Sequence, residues 1–291
     1  MMTIQWFPGH MAKATREFQE KLKLVDVVFE LLDARIPLSS SNPSLDEIIG
    51  DKPRVKILMK SDLADTQITS QWLTYYKENN IAVVPYNAKR NQDVSPILAA
   101  ADDVLTEYKQ KRIDKGLKPR AIRAVSVGIP NVGKSTLINR FAGKNIAQTG
   151  NRPGVTKAQQ WIKYKNKLEL LDTPGILWPK FEDQRVGKCL AVTGAIKDTL
   201  LHLDDVALFM MAYFTEHYPG RLAKRYNFDK KLETEIPLPE LLMLITKKRG
   251  YRDNYERGAE MMIYEVRKGL LGPFSLETPE LLADSDDSSD D

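Results

Sequence analysis

Cysteine is almost missing from this chain: Cys189 is alone among 291 residues, which excludes an intrachain disulfide and fits a reducing compartment. Histidine is scarce as well, at three residues, and no Cys/His cluster has the spacing of a zinc site. His202 and His217 fall on expected helices without partners at ligand spacing and read as structural. Long apolar runs are lacking, and none approaches the roughly 20 residues of a membrane span. Lys13, Arg16 and Lys21 mark the first stretch as basic, but no apolar segment of a secretory signal accompanies them. These absences lead to the expectation of a cytoplasmic protein with no membrane partner and no lipid anchor.

What is present is ordinary for a globular protein: 42% hydrophobic and 28% charged residues. The length suggests two domains. The formal net charge of +4 is uneven, because Asp284 to Asp291 hold five aspartates and no base. That stretch reads as a disordered acidic tail, residues 284–291. The body before it is more basic and suits a polyanionic partner, although a merely solvated surface explains the charge equally well.

The most informative stretch is Gly128-Ile-Pro-Asn-Val-Gly-Lys-Ser135. A β-branched run (Ile122, Val125, Val127) predicts a buried strand before it, and a helical pattern follows Gly133. The spacing G-x-x-x-x-G-K-S has a mechanical meaning. The glycines let backbone N–H groups turn inward on phosphate oxygens, with a helix N-terminus behind them. Asn131, Val132, Gly133, Lys134, Ser135 and Thr136 are therefore assigned to the phosphates, with Lys134 on the β- and γ-phosphates and Ser135 on Mg²⁺.

Around it the pattern alternates. A basic amphipathic helix is expected near 11–24, with Ala14, Phe18, Leu22 and Val25 on one face and Lys13, Arg16, Lys21 and Lys23 mostly off it. Strands are expected at 25–32 (ending in Asp33-Ala34-Arg35), 55–59 and 81–85, and helices at 66–80 and 94–111. A short helix should start at Asn42-Pro43. Residues 148–157 read as a loop, and 159–164 with 167–171 as a hairpin turning at Asn166. Beyond about 182 the strands cease, and 206–217, 239–248 and 255–271 read as helices. The fold class expected is α/β: a doubly wound, mostly parallel sheet followed by a smaller all-helical domain. The boundaries expected are 1–180 for the nucleotide-binding domain with its N-terminal basic helix, 181–283 for the helical domain and 284–291 for the tail.

Three further motifs refine the chemistry. Asp172 in Leu-Asp-Thr-Pro-Gly175 ends the hairpin's second strand, where a carboxylate can hold Mg²⁺ and the Gly175 N–H can face a γ-phosphate; an ordinary Asp/Pro/Gly turn is the plain alternative. Thr156, between the P-loop and Asp172, is placed to add a Mg²⁺ ligand from a switch loop ordered by the triphosphate. Lys60-Ser61-Asp62 and Asn87-Ala88-Lys89 each follow a strand. Asp62 can accept from guanine N1–H and the exocyclic amine, which adenine cannot match at N1. The Lys60 stem would lie along the base, and the second motif would bring a backbone N–H to guanine O6. GTP and GDP with Mg²⁺ are the expected ligands.

The order is unusual, since the base-reading motifs precede the P-loop. In this, and in Trp6-Phe7-Pro8-Gly9-His10-Met11 with a helical C-terminal region, the chain resembles the circularly permuted GTPases of the ribosome biogenesis GTPase A (YlqF/RbgA) type. The resemblance implies a GTPase acting late in assembly of the large (50S) ribosomal subunit, stimulated by that subunit and monomeric away from it. It implies a catalytic role for His10, whose alternative is a structural histidine near Trp6, and it makes Lys134, Thr156 and Gly175 parts of the hydrolytic site. Asn131 resembles the potassium-coordinating Asn of K⁺-stimulated GTPases, so K⁺ is a further candidate cofactor, the alternative being a loop-stabilising Asn. Met59 stands where the family carries Asn, which bonds the base and ties its loop to the P-loop. Met can do neither, so weaker guanine binding is expected, with the preference for guanine kept by Asp62. Ile176, a departure from Ras-type enzymes that the family shares, replaces a water-orienting Gln, so slow intrinsic turnover is expected.

Two basic clusters suit rRNA: Lys109, Lys111, Arg112, Lys115, Lys118, Arg120 and Arg123 before the P-loop strand, and Lys247, Lys248, Arg249, Arg252 and Arg257 interleaved with Tyr251 and Tyr255. A solvated charged face accounts for either cluster alone. A non-cycling RNA-binding assembly protein, its nucleotide site weakened by Met59, is the reading from a different functional class.

Overall fold

The computed structural model describes residues 9–87, 93–143, 161–173 and 183–282, with side chains from residue 15 onward. The chain divides into two compact units: Gln5–Lys180 together with Glu277–Asp291, and Phe181–Leu276. The second unit thus ends at Leu276, seven residues before the boundary expected at 283, because Glu277 and Leu282 pack onto the first unit.

In the first unit the elements run α1 (Gly9–Leu22), β1 (Val27–Asp33), α2 (Pro37–Ser40), α3 (Pro43–Ile49), β2 (Arg54–Met59), α4 (Thr66–Glu78), β3 (Val83–Tyr86), α5 (Ser95–Val104), α6 (Thr106–Asp114), β4 (Ile122–Gly128), α7 (Lys134–Ala142), β5 (Trp161–Tyr164) and β6 (Leu168–Leu171). The strands form one six-stranded sheet in the order β3-β2-β1-β4-β6-β5. Neighbours are parallel except β5, which runs antiparallel to β6 as the hairpin predicts. β1 is buried along its whole length, as a central parallel strand covered on both faces must be. Its alternating side chains serve two layers. Val28 joins Phe18 and Leu22 of α1, Leu45 and Ile49 of α3, and Val125, Val127 and Leu171. Leu32 joins Leu58 and the α4 residues Trp72 and Tyr76. Phe29, on the opposite face, stacks on Phe141 of α7 at 6.4 Å.

Two local expectations change. The single helix expected over 94–111 is two, α5 and α6, broken at Leu105, whose N–H turns to Asp102 and Asp103 carbonyls. The Thr106 hydroxyl bonds the Asp103 carbonyl at 2.9 Å and competes with the helical ladder there. The short α2, started by Pro37, spans four residues and is too short to show helical periodicity. Asn42 does cap α3, its side chain accepting from Ser44 N at 3.1 Å.

Among its described residues the second unit is helical: α8 (Gln184–Thr193), a 3₁₀ turn (Asp198–Leu200), α9 (Leu203–His217), α10 (Arg221–Tyr226), α11 (Leu232–Glu235), α12 (Leu238–Lys248) and α13 (Tyr255–Arg267). α9 buries Val206, Ala207, Met210, Met211 and Phe214 against the helices around it. Gly258 lets α13 approach α12, since a Cβ there would run into the Thr246 hydroxyl. No helix among the described residues is long and apolar enough to cross a membrane.

Candidate functional site

Parallel strands end along one edge, and every motif of the first unit follows a strand end. Leu31 pairs with Gly128, Asp33 with Met59, Met59 with Tyr86, and Val125 with Leu171. The P-loop, Asp172, Lys60-Ser61-Asp62 and Asn87 therefore gather at the carboxyl edge of one sheet, where open α/β sheets bind ligands.

The phosphate loop is shaped by backbone. A Cβ at Gly128 would stand 2.6 Å from the Leu31 carbonyl, so β4 can lie against β1 there only as glycine. Asn131 (φ 59°) and Gly133 (φ 112°) are left-handed, curling the loop as an anion-binding nest requires. Val132 is buried and anchors the loop, while Thr136 stays exposed. Gly133 makes no side-chain cap to α7, leaving the first-turn N–H groups without one.

Three charged groups converge behind the loop. Burial pulls the Lys134 amine down to about 8, with Asp172 raising it and Lys21 lowering it further. Burial raises the Asp172 carboxyl, opposed by Lys134 and Lys21. The Thr173 hydroxyl, fully buried, donates to the Ser126 carbonyl and fixes the peptide after Asp172. Asp172 Oδ1 is buried without a hydrogen-bond partner. A buried carboxylate oxygen left without a hydrogen-bond partner is a fit for a hard divalent cation or its water. Ser135 and Asp172 are the described residues that would hold Mg²⁺, which supplies charge neutralisation of the phosphates when bound.

Helical spacing puts Lys21 among the residues mostly off the apolar face of α1. It is instead 4% exposed, its Nζ donating to the Asp172 carbonyl at 2.8 Å. Burial lowers its pKa, with Asp172 and Glu17 raising it. Helical spacing alone carried no signal for this.

In the turn after β2, Lys60 takes a left-handed backbone (φ 58°), and the turn is closed by Leu63 N on its carbonyl at 2.8 Å. Ser61 and Asp62 are partly exposed, and Asn87 is 7% exposed. Met59 is buried, and a Cβ at Gly133 would meet its methyl at 3.1 Å. The tie between this loop and the P-loop, expected to be lost with Asn, is thus made by apolar packing. Asp33, unassigned in the sequence, accepts from Lys60 Nζ at 2.9 Å and from Arg35 Nε and Nη2 at 2.9 and 2.8 Å. Burial pushes the Asp33 carboxyl up, but the Arg35 and Lys60 charges outweigh it and hold the group well below the usual carboxylate range. Ala88, Lys89, Thr156, Gly175, Ile176 and the side chain of His10 lie outside the described residues.

The basic clusters divide by their partners. Arg120 forms a two-pronged pair with Asp26 at 2.8 and 2.7 Å, and Arg123 pairs with Glu169 at 2.9 Å and covers Trp161. Lys111, Lys115 and Lys118 are exposed on and after α6, which buries no residue, and Arg112 is half-buried over the Tyr108 ring. In the helical unit Arg249 turns to Glu265 at 3.2 Å, whereas Lys247, Lys248, Arg252 and Arg257 are exposed, with Arg257 over the Tyr251 ring. His202 precedes α9 as its cap residue, and His217 stacks on Tyr213 at 4.0 Å. No acidic or His/Cys cluster of metal-binding composition occurs among the described residues.

A P-loop at the end of a central strand, a buried aspartate after the neighbouring strand and polar turns after two strands that come earlier in the chain fit a circularly permuted P-loop GTPase. Residues 123–246 match the family model described as 50S ribosome-binding GTPase. Ribosome biogenesis GTPase A of Bacillus cereus is 54% identical over 96% of this chain and 95% of its own length. The protein of that name from Thermotoga maritima is 30% identical over 95% of each chain. The crystal structure of GNP-bound YlqF from T. maritima matches with a TM-score of 0.66 at 25% identity, covering 92% of this chain and 99% of that one. The chain belongs to the ribosome biogenesis GTPase A family, and it is a GTP-hydrolysing enzyme of ribosome biogenesis.

Proposed function

We propose that GTP binding and hydrolysis here serve late assembly of the large (50S) ribosomal subunit, and that the subunit stimulates hydrolysis. The observation that carries this reading is the match to a 50S ribosome-binding GTPase over 123–246, a span running from the P-loop strand into the helical unit. Lys134, Ser135 and Asp172 are intact, which favours a cycling enzyme over a weakened site, and Met59 keeps a packing tie to the P-loop. With Ile176 in place of a water-orienting Gln, the intrinsic rate is slow, and His10, Thr156 and Gly175 complete the site when the subunit is bound. Asn131 holds K⁺ beside the phosphates. Lys60, Asp62, Asn87, Ala88 and Lys89 read guanine. The exposed bases after α6 and those around Tyr251 are the rRNA-facing surfaces, the protein being a cytoplasmic monomer between rounds.

The test is GTP hydrolysis with and without purified large subunits, in potassium and in sodium buffer. A rise of about 10³-fold or more, on the order of what a supplied arginine finger is worth, supports the assembly GTPase, and a potassium requirement supports Asn131. Subunit binding without any rise would favour the non-cycling RNA-binding protein.

A further inference from the structure

The base-reading lysine sits at the end of a buried hydrogen-bonded chain that starts far away in sequence. Glu277, 2% exposed, is the first residue of the segment that returns to the nucleotide-binding unit. Its carboxylate accepts from Leu38 N at 2.8 Å, from Ser39 N at 3.0 Å and from the Ser39 hydroxyl, fastening the start of α2. Its carbonyl accepts from Trp72 Nε1 at 3.0 Å, and Leu282 packs on the same cluster as Trp72. At the other end of α2, Ser40 Oγ accepts from Asp33 N at 3.0 Å and donates to Ile36 O at 2.6 Å. Asp33 is then held from both sides, by Arg35 N and the Arg35 guanidinium, and its remaining reach goes to Lys60.

We propose that Asp33 is the positioning residue of the base reader, fixing the ammonium of Lys60 so that its stem forms a rigid platform, with Glu277 bracing Asp33 through α2. This rests on Lys60 touching the base. A long lysine loses rotamer entropy when it is immobilised. If that loss falls at folding, through the half-buried ion pair with Asp33, it does not fall again when nucleotide binds. The left-handed backbone of Lys60 marks the same constraint from the main chain. No substrate chemistry passes through Asp33.

The test is a double-mutant cycle on mant-GDP affinity in the full chain, with Lys60→Ala, Asp33→Asn and both together. Asp33→Asn should weaken binding about tenfold, as loss of a hydrogen bond between charged groups does. In the Lys60→Ala background it should add less than about twofold. A purely structural Asp33 would multiply its effect on top of Lys60→Ala, and that overturns the proposal. Lys60→Ala without any loss of affinity would instead show that Lys60 does not read the base, taking the underlying reading down first. Should Asp33→Asn fail to fold, Ser40→Ala and Glu277→Gln decide: weaker binding that is non-additive with Lys60→Ala supports the brace, and unchanged or additive binding overturns it.

Discussion

At the scale of single residues, the site is decided by side chains whose type misstates their place. Lys21 carries an ammonium into the interior to bond the Asp172 carbonyl. Lys21→Met keeps the stem but strands that carbonyl and leaves the Asp172 carboxylate less compensated, a loss on the order of 1–3 kcal/mol. All four tryptophans lie outside Phe181–Leu276, so urea unfolding followed by tryptophan fluorescence reports the nucleotide-binding unit. A lower urea midpoint is expected, and an unchanged one would make the Lys21 bond incidental. Met59 is the converse case, an apolar residue in a polar motif. Met59→Ala should remove the packing behind Gly133 at a cost on the order of 2–5 kcal/mol. Stopped-flow release of mant-GDP should then be faster, because the P-loop loses the contact that holds its glycine turn.

Elements were legible where burial is monotonous. Val125, Val127 and their neighbours mark β4 because a central parallel strand is apolar on both faces, and the placing of the motifs at strand ends comes from that. The edge they share was therefore readable before any contact was known. Exceptions have local causes: Thr106 breaks one helix into α5 and α6, and α2 is a four-residue turn below any periodicity. Glu277 could not be found from spacing, since its partners are 238 and 239 residues away. The helical unit has a similar long-range tie, Glu265 of α13 accepting from Arg225 Nε and Nη2 of α10 at 2.8 Å each. Burial pushes Glu265 up, but Arg225 and Arg249 outweigh it and hold its pKa below the ordinary value of 4.5. A depressed folded-state pKa stabilises above the unfolded pKa and loses that stability as pH falls through the folded one. Glu265→Gln should thus destabilise α10 and α13 at neutral pH by roughly 1–3 kcal/mol, less than a fully buried pair because Arg225 is 30% exposed. It should also flatten the acid dependence below about pH 4.5. Hydrogen exchange of peptides from these helices, corrected for intrinsic rates, measures both, and an equal acid slope in parent and variant would remove Glu265 as its source.

On the scale of the whole molecule, the permutation matters because it decides where the two units are covalently joined. The chain leaves the nucleotide-binding unit after Lys180, shortly beyond Asp172-Thr-Pro-Gly175, and returns to it at Glu277, which is bonded to α2. One junction therefore comes after the segment expected to answer to the γ-phosphate, and the other adjoins the chain that reaches Lys60. A GTPase with its P-loop first would place neither junction there. If the helical unit carries the rRNA-facing surface, the phosphate state biases the segment leading into it, and ribosome affinity and nucleotide affinity must shift each other by the same factor. The expected outcome is tighter binding to large subunits with a non-hydrolysable GTP analogue than with GDP, by about 5–150-fold, the usual range of coupling. Sedimentation of labelled protein with purified subunits gives the first affinity, and release of mant-nucleotide with and without subunits gives the reciprocal one. Equal subunit affinity in the two nucleotide states would mean that the junctions transmit nothing, and the permuted order would then be only a different way of threading the same sheet.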